Sequence, residues 1–231
     1  MPRQVSLGDE ALSSRGGVSQ PVWDLPVRLV HWLLAGLIGF SWWSVHNHHT
    51  DWHIWSGCAI LTLLIFRLLW GFIGSSTARW SSFVRGPAGV AAHLRGRWNG
   101  IGHTPLGALS VVAIFIALAV QVSLGLISED EDGLYTGPLY RLVSTDTSDK
   151  ARDLHELWFN VILGLIVLHL AAIIFYRFRG KHLTKPMITG RALLEPGTQP
   201  MRPGKWWVAA ICLAIGIGIT RWVIAGAPPF S

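Results

Sequence analysis

The stretch LHELWFNVILGLIVLHLAAIIFY, residues 154–176, decides the fold. Its 23 residues carry one formal charge, Glu156, and a helix of that length covers the roughly 30 Å hydrocarbon core of a bilayer. The segment must be helical, because an isolated strand leaves its backbone polar groups unsatisfied in lipid. Within it, His155 and His169 stand 14 residues apart. At 3.6 residues per turn that is nearly four turns, so both imidazoles leave one helix face, separated by about 21 Å along the axis.

Four further segments share this length and apolar character: Val27 to about His46, His53 to about Gly74, Pro105 to Ile127, and Trp206 to about Ala225. The second of the five spans contains Arg67 and the last contains Arg221. Trp42, Trp43, Trp52 and Trp55 crowd one end of the first pair, and Trp206, Trp207 and Trp222 flank the last, as in an interfacial aromatic belt. The composition agrees. Of 231 residues, 51% are hydrophobic and only 14% charged, against roughly a quarter charged in soluble domains. Disorder is excluded by the apolar content, and a disulfide scaffold by the presence of only 2 cysteines. The net charge of +6 does not mark a nucleic-acid binder, because the cations sit between apolar runs. The chain reads as an all-α, five-span membrane protein.

Cation placement predicts orientation. Fourteen Lys and Arg residues fall on one side, in three groups: Arg3, Arg15 and Arg28; Arg79, Arg85, Arg95 and Arg97; and the seven between Arg177 and Lys205. The other side holds Arg141 and Lys150, with Arg152 at a helix end. The positive-inside bias puts the N-terminus in the cytoplasm and, with five spans, the C-terminus outside. Residues 1–26 are polar, without the apolar core of a signal peptide, and read as a cytoplasmic tail. The loop after the third span opens with Glu129-Asp130-Glu131-Asp132. No internal repeat is evident.

Four of the 10 histidines are placed to act together. Following the chain direction of each span, His31 and His169 share the inner depth, and His53 and His155 share the outer one. Ionisable groups inside spans are costly and usually functional. An imidazole pair reaching across between two helices can hold a planar macrocycle through its iron, so two pairs would hold two haems. Gly57 follows His53 by one turn, and Ala35 follows His31 likewise, leaving room for a flat ring. The bland alternative for any one histidine is an interfacial or core residue bonded to a neighbour. His46, His48 and His49 compete for the outer site but fall in a short loop, while His93 and His182 read as solvated loop residues.

Other chemistries fit less well. Zinc needs converging tetrahedral ligands, and His155 and His169 are too far apart to share an ion. Di-iron sites use Glu-x-x-His, whereas here His155 and Glu156 are adjacent. Cys58 and Cys212 lie inside spans as small packing groups, and the absence of C-x-x-C-H excludes covalent haem attachment. No nucleophile constellation, P-loop or dinucleotide-binding glycine motif is present.

Eight stretches in order resemble the bacterial cytochrome b561 and Ni,Fe-hydrogenase b-type cytochrome family of membrane dihaem proteins. They are VWDLPVRLVHW (22–32), DWHIWSG (51–57), FRLLWGFIG (66–74), FVRGPAG (83–89), GHTPLGAL (102–109), LHELWFN (154–160), VLHLAAIIFY (167–176) and KPMITGR (185–191). The resemblance implies a four-helix transmembrane haem-binding bundle over 27–190, two non-covalent b-type haems, membrane electron transfer and quinone as the usual partner. It also implies that His31, His53, His155 and His169 are the axial ligands. The linker and fifth helix, 191–231, lie beyond the common core, so partner contacts and oligomeric state do not transfer from the family.

Arg67 follows His53 by 14 residues and therefore comes out at the inner haem depth. It is expected to pair with a propionate of the inner haem or with a quinone carbonyl, the alternative being an arginine that snorkels to the headgroups. His103 and Arg141 read as loop residues near the two mouths. The expected function is electron transfer between the quinone pool and a redox partner. The acidic outer run suits a cationic periplasmic c-type cytochrome. Two other readings are a haem-bearing anchor and relay subunit of a soluble oxidoreductase such as a Ni,Fe-hydrogenase, and a non-redox transporter. The unbroken spans and the absence of paired acids at mid-membrane weigh against the transporter.

Overall fold

The structure is a computed structural model that describes residues 16–84, 95, 101–102 and 104–228. Among the described residues, five helices are long and apolar enough to cross a membrane: α1 (Leu25–His46), α2 (Thr50–Ile73), α4 (Pro105–Ile127), α5 (Thr145–Phe178) and α7 (Trp206–Ile224). Short helices α3 (Trp80–Phe83) and α6 (Thr184–Thr189) lie between them. A two-stranded antiparallel ribbon pairs β1 (Val18–Pro21) with β2 (Arg191–Leu194), setting Val18 opposite Leu194.

Each of two spanning helices starts where the sequence supplies a side-chain cap. Asp24 Oδ1 accepts the Val27 N–H at 2.9 Å to open α1, and Thr104 Oγ1 accepts from the Gly107 N–H to open α4. Between α1 and α2 the chain reverses within Asn47–His49, where His48 takes a left-handed φ of 60° and the His49 N–H donates to the Ser44 carbonyl. So short a connection forces the two helices into antiparallel contact.

The fourth span was expected to begin at Leu154, but its helix begins nine residues earlier, at Thr145. Ser144 caps it by accepting from the Thr147 N–H, and the polar turn is supported by Lys150–Asp146 at 2.6 Å and Arg152–Asp149 at 3.2 Å. These are capping and ion-pair signals rather than apolar ones, so a hydropathy reading misses them. At 34 residues the helix is about 50 Å long, and its polar turns extend past the hydrocarbon.

Packing proceeds by neighbours: α1 on α2, α2 on α4 and α7, and α4 on α5. Ile60, Leu64, Ala117, Leu118 and Ile162 form a core at mid-bundle. A second core at the α1 N-terminal end gathers Val22, Trp23, Val27, Val30, Phe66, Trp70, Ala78 and Cys212. Large exposed apolar side chains such as Leu33, Phe72, Leu163, Leu168 and Ile215 cover the outside, as a lipid solvent permits. Helix α7 lies close against α2, where Thr62 Oγ1 donates to Thr220 Oγ1 at 2.8 Å. A Cβ on Gly216 would come within 2.9 Å of the Thr62 carbonyl, so only glycine permits this approach.

The lower core is fastened by one carboxylate. Asp24 caps α1 with Oδ1 and accepts from the Trp70 indole N–H with Oδ2 at 2.9 Å, and Trp70 is only 1% exposed. Around it, Thr77 Oγ1 donates to the Val22 carbonyl and the Met201 N–H to the Pro21 carbonyl. The Arg28 and Trp32 side chains donate to the Ile188 and Met187 carbonyls at the end of α6. An N-cap contributes about 1 kcal/mol and a stranded buried N–H costs about 1–3 kcal/mol. Asp24→Ala is therefore expected to lose about 2–4 kcal/mol, read as a lower unfolding midpoint in detergent; an unchanged midpoint would refute the fastening role.

Candidate functional site

Helix α5 presents His155 and His169 on one face, and each meets a histidine from a different helix. His155 faces His53 of α2 with ring centroids 5.9 Å apart and planes crossed at 88°. His169 faces His31 of α1 with centroids 6.5 Å apart and planes at 50°. Two imidazoles sharing one metal ion through bonds of about 2 Å place their centroids about 6 Å apart. Both pairs stand near that separation. Among the described residues no cluster of three or more His, Cys, Asp or Glu side chains converges on a point, so the arrangement is a pair rather than a tetrahedral cage.

The ring nitrogens facing away from the opposite imidazole are held by the backbone at one end of the bundle. His155 Nδ1 lies 2.9 Å from the Gln121 carbonyl, and His53 Nδ1 lies 3.1 Å from the Ser41 carbonyl and 2.9 Å from Ser41 Oγ. A carbonyl can only accept, so each Nδ1 carries the proton and Nε2 keeps its lone pair for a metal. The other pair is held more loosely. His169 Nδ1 lies 3.4 Å from Ser110 Oγ, and His31 Nδ1 is buried without a hydrogen-bond partner among the described residues.

Between His53 and His155 opens a cavity of about 500 Å³, within the range of cofactor pockets. Its apolar walls come from Ile38, Ile54, Leu118, Val122 and Ile162. Gly57, one turn after His53, lines it, and a Cβ there would meet open space. Gly125 sits under His155 instead. A Cβ on it would lie 2.9 Å from His155 Cε1, so the ring rests on bare α4 backbone. The loop after α4 borders the mouth. Its Glu129–Thr136 bridge, Gly137 seated on the Gly125 and Leu126 carbonyls, and Arg152 Nη1 donating to the Glu129 carbonyl bring Glu129 and Asp130 to the rim.

Arg67 does not snorkel. It is 7% exposed, with its guanidinium 4.4 Å above the Trp80 ring and 5.9 Å from Phe83, and its Nη1 has no hydrogen-bond partner among the described residues. Helix α3 thus folds back over the end of α2 and covers the cation, anchored by Trp80 Nε1 donating to the Leu68 carbonyl.

The competing histidines are engaged elsewhere. His46 reaches the cavity rim but bonds the Trp42 carbonyl through Nδ1, and His49 stacks on Trp52 at 4.4 Å. His182 accepts from Arg177, and Arg141 lies over Tyr140. Residues 1–15, including Arg3 and Arg15, lie outside the described residues, as do Arg85, His93, Arg97 and His103. Sequence reasoning missed Ser41, Ser110, Gln121, Gly125 and Trp80. Ser41, Ser110 and Gln121 are polar interruptions of apolar spans, which is the signal that could have found them.

No curated protein and no solved structure matches this chain significantly. Residues 22–190, more than half of the chain, match the family described as prokaryotic cytochrome b561. That match runs from the lower core through both histidine pairs to the end of α6, and its members are b-type haem proteins of membrane electron transfer. With five apolar spans and this match, the chain belongs to the prokaryotic cytochrome b561 family and is a multi-pass membrane cytochrome.

Proposed function

We propose that this cytochrome carries electrons across the inner membrane between the quinone pool and a redox partner, with one haem b held by His53 and His155 and a second by His31 and His169. The reading takes α1, α2, α4 and α5 as the haem-binding bundle and α7 as an added helix. The observation that supports it is the pair of opposed imidazole couples, at 5.9 and 6.5 Å, at two levels of the same helix α5. A haem held by two imidazoles supplies a one-electron couple and leaves no coordination position open.

The chain's own groups do the rest. The Ser41 and Gln121 carbonyls fix which nitrogen of His53 and His155 is free. Gly57 leaves the face of the cavity open, and the apolar walls exclude water from it. Arg67, buried and short of an acceptor, would donate to a carboxylate of the group held by His31 and His169, or to a quinone carbonyl. The cation-rich end, with Arg28, Arg177, Arg179, Lys181 and Lys185, is read as cytoplasmic, and Glu129–Asp132 as the periplasmic rim.

Reduced-minus-oxidised spectra with haem quantified per chain should give about two b-type haems, with His155→Ala and His169→Ala each removing a different one; a colourless protein would refute the assignment. Arg67→Leu should lower the reduction potential of the His31–His169 site, because a buried cation stabilises the added electron; an unmoved potential would release Arg67 from this role. Reduction of the outer site by a basic c-type cytochrome should slow as ionic strength rises, since salt screens the acidic rim. A salt-independent rate would remove the electrostatic partner, and stoichiometric co-purification of a soluble oxidoreductase would make the chain a relay subunit instead.

A further inference from the structure

We infer that the junction between the end of α2 and the start of α7 binds the headgroup of an anionic phospholipid, with Arg79, Arg202 and Lys205 on its phosphate and the apolar residues beside them on its chains. The inference uses the membrane-spanning fold and does not depend on the haem reading above.

Two segments far apart in the chain build the junction. The turn after α2, residues 74–79, and the residues leading into α7, 201–205, exchange a reciprocal pair of hydrogen bonds. The Ser76 N–H donates to the Arg202 carbonyl at 3.0 Å, and the Arg202 N–H donates to Ser76 Oγ at 2.9 Å. Gly204 closes the joint. A Cβ on it would lie 2.5 Å from the Trp70 ring and 3.1 Å from the Ser75 nitrogen, so the chain entering α7 lies directly on the end of α2. Arg79 ends the same turn, and its Nε donates to the Gly74 carbonyl at 3.0 Å, which fixes the guanidinium at the joint. Lys205 immediately precedes α7, with Nζ 5.7 Å from the centre of the Trp207 ring.

Charge and depth then select the ligand. All three cations are exposed, and none forms an ion pair among the described residues. The ion pairs that do form there belong to Asp146, Asp149 and Asp153, at the other end of the bundle. Asp24, a carboxylate at the cation-rich end, is buried with both oxygens engaged by the Val27 N–H and the Trp70 indole. Helix α2 runs towards this end and α7 away from it, so the junction lies where both helices meet the membrane surface. Beside the cations stand Phe72, 66% exposed, Ile73, Trp206, 82% exposed, and Trp207. Tryptophans settle at headgroup level, which puts Arg79, Arg202 and Lys205 at the depth of lipid phosphates. An arginine fork matches phosphate oxygens, and basic sites between spanning helices take anionic headgroups. A soluble anion would satisfy the cations and leave the apolar flank unused, whereas a lipid covers both. Bound there, it would fasten α7, which lies beyond the family match at 22–190, to the haem-binding bundle.

The test is native mass spectrometry of the full chain in a neutral detergent, titrated with phosphatidylglycerol, with phosphatidylcholine of the same chains, and with inorganic phosphate. Phosphatidylglycerol should be retained about tenfold more tightly than phosphatidylcholine, and inorganic phosphate should neither bind nor compete at comparable concentration. Each cation near an anionic lipid contributes about fivefold in affinity. Arg202→Gln with Lys205→Gln should therefore weaken phosphatidylglycerol binding about tenfold or more, and Arg79→Gln alone about fivefold. The unfolding midpoint in lipid-free detergent checks that each variant is folded; if the double variant is not, Arg79→Gln carries the test. Arg177→Gln with Arg179→Gln removes the same charge from the end of α5 and should leave the affinity unchanged. Equal retention of the two lipids, or unweakened binding in the folded junction variants, would overturn the site. An equal loss in the α5 variant would reduce it to diffuse surface charge, and competition by inorganic phosphate would make it a site for free anions; either overturns the lipid assignment.

Discussion

Helix α5 must keep one imidazole's reach from two different helices at once, and the rest of the bundle is arranged around that constraint. His155 addresses α2 and His169 addresses α1, so α5 can neither collapse onto the α1–α2 pair nor drift from it. Extensive packing is accordingly found within the pairs, α1 on α2 and α4 on α5, with α2 against α4 as the link between them. At mid-bundle Ile162 of α5 meets Ile60, Leu64, Ala117 and Leu118, and Trp158 Nε1 ties α5 to the Ala117 carbonyl at 3.0 Å. The space left beside those contacts is the cavity between His53 and His155.

Because lipid tails are as apolar as leucine, helix association here cannot draw on hydrophobic burial as a soluble core does. The polar contacts and close approaches show what replaces it. Asp24 joins the start of α1 to Trp70 of α2, Thr62 joins α2 to Thr220 of α7, and Gly216 lets α7 touch the α2 backbone. Each is a small number of contacts, but in hydrocarbon an unsatisfied polar group is the alternative. At the cation-rich end, β1, β2 and α6 close a collar around these contacts. Gly190, with φ 79°, packs against the Trp23 carbonyl and the Arg28 guanidinium, and its own carbonyl accepts from the Val22 N–H at 2.8 Å. Residues on both sides of the bundle in sequence are thereby held to the end where His31 and His169 meet.

The spans, their number and the histidine spacing were legible in the sequence, because hydropathy and the 3.6-residue period are local properties. His155 and His169 had to share a face whatever surrounded them. The start of α5 at Thr145 was less legible, since nine residues stabilised by capping and ion pairs carry no apolar signal. Arg67 shows the same boundary from the other side. Its position on α2 followed from counting, but whether it reached for headgroups or stayed inside depended on α3 folding back to lay Trp80 over it.

By itself, then, the sequence determined an all-helical membrane protein with imidazoles at two depths, because burial in lipid and helical geometry act over single segments. The tertiary structure alone decided how closely the paired rings approach, at what angle they face, and what holds each Nδ1. It also decided that Gly125 is bare backbone beneath His155 and that Arg67 is buried. Those are contacts between segments far apart in the chain, and no local period encodes the distance between two helix axes or the rotation of one against another.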